Sequence, residues 1–123
     1  MQYRKFAFFT VVLMALVTLW SCEYEKIQPD LPPSTDTVYY SSDIQPIFNK
    51  GCTGCHGVGL TPPDLTAANS YNALTNGSFI NTADPASSII YTEMTSGGGM
   101  SQYTNQSDAN LVLVWIQQGA KNN

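Results

Sequence analysis

Residues 49 to 59 have the sequence Asn-Lys-Gly-Cys-Thr-Gly-Cys-His-Gly-Val-Gly. This stretch holds two of the chain's three cysteines and its only histidine, all within positions 52–56. Thiols and imidazoles gathered in this way attach cofactors or bind metals, so we expect the chemistry of the chain to lie here. The glycines at 51, 54 and 57 let the backbone turn tightly around these side chains.

Cys52, Cys55 and His56 have the C-x-x-C-H spacing of c-type haem attachment. The two thiols add to the two vinyl groups on one side of the porphyrin. The histidine directly after the second thiol is then carried under the iron, where an imidazole nitrogen binds the metal. We therefore predict one covalently attached haem c, with His56 as the proximal iron ligand.

Three other interpretations of the same residues remain open. A structural zinc site needs four ligands, and the chain offers only Cys52, Cys55 and His56 without a second Cys/His pair. A thioredoxin-like dithiol needs a βαβ setting, which this glycine-rich region does not predict. A disulfide between Cys52 and Cys55 would close a tight and strained loop.

The second axial position of the iron cannot take an imidazole from this chain, because His56 is its only histidine. The sixth ligand is therefore a methionine, another side chain or nothing. Met100 follows three glycines, which leave room for a close pass over a porphyrin, and we predict it as the distal ligand. Met94, near the end of a predicted helix, is the alternative, although a core methionine that fills a gap is a common explanation there.

Side chains around the iron ligands are less strongly indicated. A ligating imidazole usually donates its other N–H to a carbonyl, and Pro62 or Pro63 could hold such an acceptor or simply shape a turn. Phe48 and Trp115 could line the haem, but packing between the first and last helices is the better expectation for large aromatics.

The N-terminal residues predict export. Arg4 and Lys5 precede a run of fifteen largely apolar residues. A transmembrane helix needs about 20 apolar residues to cross a bilayer. Residues 1–21 are therefore expected to be a signal peptide. Leu19-Trp20-Ser21-Cys22 resembles a bacterial lipobox, with Trp20 where a small residue is usual. Cys22 would then be lipidated, which leaves no cysteine over if the other two hold haem. An ordinary signal or an uncleaved anchor is the alternative.

The expected organisation is a signal peptide at 1–21, a lipidated cysteine with a flexible proline-containing tether at 22–40, and one domain at 41–123. The mature chain would be a periplasmic or cell-surface lipoprotein held at a membrane. Its three lysines and nine acidic residues give a formal charge of −6. Nucleic acid is therefore an unsuitable partner. The acidity suits a basic or neutral partner, or only solubility.

Four short helices are predicted in the domain. The first covers residues 44–50, with Asp43 as its N-cap, and the second covers residues 70–75 after Asn69. A third begins at Asp84-Pro85 and continues towards Met94. The fourth covers residues 108–118 after the cap Ser107, with Leu111, Val114 and Trp115 on one face. A buried strand at residues 111–116 is the alternative for the last segment.

Over about residues 42–121 the chain is similar to small mono-haem class I c-type cytochromes. The similarity lies in the segment 43–48 before the haem motif, the Asp84-Pro85 helix start, the glycine loop before Met100, and the segment 115–120. It implies an all-α fold of three to four short helices around the haem, whose first and last helices cross at one haem edge. It also implies attachment at Cys52 and Cys55, with His56 proximal and Met100 distal. Ser101 stands where the family commonly has proline.

An iron with both axial positions filled cannot bind a substrate, so the expected function is electron transfer and not enzymatic catalysis. The expected partners are redox proteins that act as electron donor and acceptor, and a membrane contacted through the lipid. No small-molecule substrate is expected. The alternative is a haem-based small-ligand binder or sensor with an open sixth site. A third hypothesis is a surface lipoprotein with a structural C-x-x-C.

Overall fold

A computed structural model describes residues 36–123. The predicted signal peptide, the lipidation site Cys22 and the tether up to residue 35 lie outside the described residues. The chain from 36 onward is helical and contains no strand, as predicted for the all-α class. Its α-helices are α1 (Gln45–Gly51), α2 (Ser70–Asn76), α3 (Ile89–Met94) and α4 (Gln106–Gln117). Three shorter pieces are a π-helical turn (Tyr40–Ile44) and two 3-10 turns (Pro85–Ser87 and Ser101–Tyr103).

The first helical segment begins earlier than predicted. The π-helical turn runs directly into α1, so Asp43 lies inside the first turn and is not the N-cap. Its carboxylate accepts the backbone N–H of Tyr39 at 2.7 Å, which satisfies a donor at the true start of the segment. The predicted apolar face is confirmed, since Ile44, Ile47 and Phe48 are all buried.

The second predicted helix is confirmed as α2, and the third is divided in two. Pro85–Ser87 forms a 3-10 turn, and α3 starts only at Ile89. Between them Ser88 has extended backbone angles (φ −59°, ψ 130°). The Ser88 hydroxyl accepts the backbone N–H of Asn81 at 2.9 Å, which ties this break to the preceding loop.

The last helix is confirmed, and the strand alternative is wrong. Its N-cap is Asn105, whose side chain accepts the Asp108 N–H at 2.9 Å, and not the predicted Ser107. The predicted buried face is wrong for two of its three residues, because the helix is rotated relative to the prediction. Trp115 is fully buried, but Leu111 and Val114 are only partly buried. The buried side chains of α4 are Ala109, Val112, Leu113, Trp115 and Ile116.

An aromatic cluster joins the two ends of the domain. The ring centroids of Tyr40 and Trp115 are 5.1 Å apart, and those of Tyr40 and Tyr71 are 5.3 Å apart in an edge arrangement. The buried Trp115 donates its indole N–H to the Lys121 carbonyl at 2.9 Å. Helix α4 is thereby packed on the π-helical turn that leads into α1.

Residues 36–41 are held by two side chains that follow α4, and we call this set the 36–41 clamp. Val38 donates its N–H to Gln118 Oε1 at 2.9 Å, and Tyr40 donates its N–H to Asn123 Oδ1 at 2.8 Å. Gln118 Nε2 also donates to the Asp36 carbonyl at 2.9 Å. Because Val38 and Tyr40 are buried as well, the expectation of a flexible tether needs correction for residues 36–40.

Candidate functional site

The C-x-x-C-H motif forms a tight turn directly after α1. Cys52 is the C-cap of α1, and its N–H donates to the Phe48 carbonyl at 2.9 Å. The Cys52 carbonyl then accepts the N–H groups of Cys55 at 3.2 Å and His56 at 2.8 Å. Both cysteines are free thiols, with Cys52 half-buried and Cys55 exposed. The end of the helix therefore sets the positions of all three motif side chains.

Of the glycines around the motif, Gly57 is the one confined by its surroundings. A Cβ atom at Gly57 would lie 2.9 Å from the Thr53 carbonyl oxygen, which is closer than side chains normally approach. Gly54, inside the motif, has nothing within 4 Å of such an atom. The turn thus needs a glycine after the histidine more than it needs one between the cysteines.

The imidazole of His56 is oriented by the main chain. Its Nδ1 lies 3.0 Å from the Thr61 carbonyl oxygen. A carbonyl can only accept, so Nδ1 carries the proton and donates it. In the neutral ring this leaves Nε2 with a lone pair that can bind a metal. The expected acceptor at Pro62 or Pro63 is wrong, because the carbonyl belongs to the residue just before them.

A buried polar network fixes the loop that carries this carbonyl, and the sequence did not indicate it. Leu65 donates its N–H to the His56 carbonyl at 2.7 Å. The Leu65 carbonyl accepts from Gln45 Nε2 at 3.0 Å, and Gln45 Oε1 accepts the Ser70 hydroxyl. The Tyr40 hydroxyl donates to Ser70 Oγ at 2.6 Å. Gln45 thereby links α1 and α2 to the histidine loop.

One cavity of about 510 Å³ gathers the predicted site residues. Cys52, Cys55 and His56 line it, and so do Met94 and Met100. Its volume lies within the range of about 300–1,000 Å³ that is usual for cofactor sites. The structure therefore brings to one space every cysteine, histidine and methionine found at positions 36–123.

The cavity wall is mostly apolar. Phe48 is fully buried and lines it, so this ring both packs the core and faces the site. Trp115 does not line it, and its role is packing in the aromatic cluster. Large apolar groups on the wall include Phe48, Pro63, Leu65, Phe79, Ile90 and Met94. A flat apolar macrocycle suits such a surface.

The two methionines differ in their surroundings. Met94 is 5% exposed and belongs to the hydrophobic core, whereas Met100 is 39% exposed. Ile89 and Tyr103, which also line the cavity, are exposed too, so the cavity opens to the surface near Met100. Both thioethers remain candidates for an iron ligand.

Burial and a neighbouring carboxylate both act on the thiol of Cys52. Burial raises its pKa above the usual value of 9.0, and the negative charge of Asp108 raises this pKa further. A redox-active dithiol depends on a thiolate with a lowered pKa. The environment of Cys52 therefore disfavours the thioredoxin-like alternative.

One buried hydroxyl in the cavity wall lacks a partner. Thr104 lines the cavity, and its Oγ1 is shielded from solvent without a hydrogen bond to the protein. A buried hydroxyl without a partner is costly, so a bound group with a polar atom near Thr104 would be stabilised. The carboxylates of a haem are acceptors of this kind, and the donor set of the cavity therefore fits that cofactor.

No protein-family model, curated protein or solved structure matches the chain. A functional assignment therefore rests on the side chains that line the cavity. Within residues 36–123, no helix is long and apolar enough to cross a membrane. The same part of the chain contains no cluster of three or more His, Cys, Asp or Glu side chains arranged around a metal ion.

Proposed function

We propose that this chain is a mono-haem c-type cytochrome that carries single electrons between other redox proteins. The proposal is carried by the cavity, where two thiols, one imidazole and two thioethers line a single, mostly apolar space. The proposal includes a class I cytochrome c fold. This is supported by the all-helical structure, in which α4 packs on the turn that leads into α1.

Cys52 and Cys55 would hold the haem covalently. Each thiol would add its S–H bond across a vinyl C=C bond, so that a C–S bond forms, the hydrogen stays on the neighbouring carbon and nothing leaves. His56 would bind the iron through Nε2, because its Nδ1–H is engaged by Thr61. Bound haem supplies reversible one-electron exchange at its iron.

The rim of the cavity favours exchange with another protein. Ile89, Met100 and Tyr103 line the cavity and are 47%, 39% and 63% exposed, so a partner surface can approach the site there. The proposed setting is an exported lipoprotein anchored through Cys22, whose acidic mature chain suits a basic or neutral partner. The protein would carry electrons without catalysing a reaction of its own.

The test is to express the chain in cells with and without the haem-attachment machinery. We expect a coloured protein whose mass exceeds that of the processed polypeptide by one haem, with a haemochrome spectrum that survives denaturation. The Cys52→Ala, Cys55→Ala variant should lack the covalent haem. A colourless wild-type protein of polypeptide mass from competent cells would overturn the proposal.

A second candidate is a haem-based binder of small ligands, and the exposure of Met100 favours it. A thioether that is 39% exposed, in a loop at the cavity opening, can be displaced more easily than a buried one. Carbon monoxide binding to the reduced protein at neutral pH would support this candidate. A near-infrared sulfur-to-iron charge-transfer band in the oxidised protein would exclude an open site.

A further inference from the structure

Glu93 holds the loop that carries Met100 at two successive positions. Its backbone carbonyl accepts the N–H of Met100 at 3.0 Å. Its side-chain Oε2 accepts the N–H of Gly99 at 2.8 Å, a charge-assisted hydrogen bond. Glu93 is the second-last residue of α3 and lines the cavity itself. One residue therefore joins the end of α3 to the candidate distal ligand.

The glycines before Met100 bring the loop onto the end of α3. A Cβ atom at Gly98 would collide with the carbonyl oxygens of Thr92 and Glu93, so only glycine fits there. The N–H of Gly98 donates to the Thr95 carbonyl at 2.9 Å. The sequence suggested that these glycines allow a close pass over a porphyrin. The close approach that the structure records for Gly98 is instead to the backbone of α3.

We propose that Glu93 is a positioning residue that holds Met100 over the cavity as the distal iron ligand. The inference rests on the proposed haem function. Without the Gly99 bond, a partly exposed loop would gain freedom, and the thioether would be bound less often. Met94 has a different environment, since it is packed in the core on the preceding helix.

The experiment measures competition for the sixth position in the oxidised, haem-loaded protein. Imidazole is titrated while the near-infrared sulfur-to-iron band is followed. Glu93→Ala should raise the apparent imidazole association constant about 5- to 30-fold, which corresponds to the loss of a solvent-exposed hydrogen bond worth about 1–2 kcal/mol. Glu93→Gln retains a neutral acceptor and should give a smaller rise. Asp84→Ala removes an exposed carboxylate whose residue forms hydrogen bonds with Asn81 and Ser87 and none with this loop, and it should match the wild type.

Two further variants identify the thioether. Met100→Ala should abolish the band, and Met94→Leu, which keeps the side-chain volume, should retain it. Retention of the band in Met100→Ala would overturn the inference, as would a haem-loaded wild type that has no such band. Imidazole constants within twofold of the wild type for both Glu93 variants would also overturn it. These results leave the haem proposal standing, whereas absence of haem from the wild type would end both.

Discussion

The proposed haem function predicts that the domain needs haem in order to fold. At roughly 24 cal/mol per Å³ of apolar cavity, holding open 510 Å³ corresponds to about 12 kcal/mol. This value is an upper limit, because water can enter at the exposed rim. Single domains are stable by only about 5–15 kcal/mol, so even half of this penalty, about 6 kcal/mol, is a large share of the total stability. We therefore expect Cys52→Ala, Cys55→Ala to lose its cooperative thermal transition.

The measurement is thermal denaturation followed by far-ultraviolet circular dichroism. Wild-type protein from cells without the attachment machinery is the control, because it keeps both thiols and lacks only the haem. It should behave as the double variant does. Replacing one half-buried and one exposed thiol should by itself cost little. A haem-free sample that melts cooperatively, within a few degrees of the loaded protein, would refute the reasoning.

Three further predictions concern the scaffold. Burial raises the pKa of Tyr40 above 10.0 and outweighs the hydrogen bond to Ser70, which lowers it, so the unfolded chain loses this proton first. The free energy of unfolding should therefore fall as the pH rises from 10.0 through the folded-state pKa, and more steeply than in Tyr40→Phe. Asn105→Ala removes the N-cap of α4 and should lower the free energy of unfolding, measured by urea denaturation, by about 1 kcal/mol. Ser107→Ala, at the sequence-predicted cap, should change stability by less than about 0.5 kcal/mol. Gln118→Ala breaks two bonds of the 36–41 clamp and should cost about 1–2 kcal/mol without altering the haem spectrum.

The local patterns in the sequence predicted the helices better than their ends. Caps, first-turn prolines, apolar spacing and terminal glycines together located the four helices, because these signals lie within a few residues of the elements they define. The caps at Asp43 and Ser107 were wrong. Asp43 and Ser107 both have side chains that can cap a helix, but the segments begin earlier, after Tyr39 and Asn105. Ser88 broke the third helix through a bond to Asn81, which no helical pattern contains.

The sequence likewise predicted some residues of the candidate site and not others. Cys52, Cys55 and His56 form a contiguous motif, so their proximity in space follows from their order in the chain. The contacts of Gln45 and Glu93 join separate elements, and the single sequence contains no signal for such pairings. The unpartnered hydroxyl of Thr104 is visible only once the cavity wall is assembled.

The 36–41 clamp has a mechanical consequence. A pull that enters the domain at its first described residue is met by the bonds to Gln118 and Asn123. Neither these two side chains nor residues 36–41 line the cavity. In the proposed lipid-anchored cytochrome, the clamp would therefore bear tension from the N-terminal side before that tension reaches the residues proposed to bind the iron.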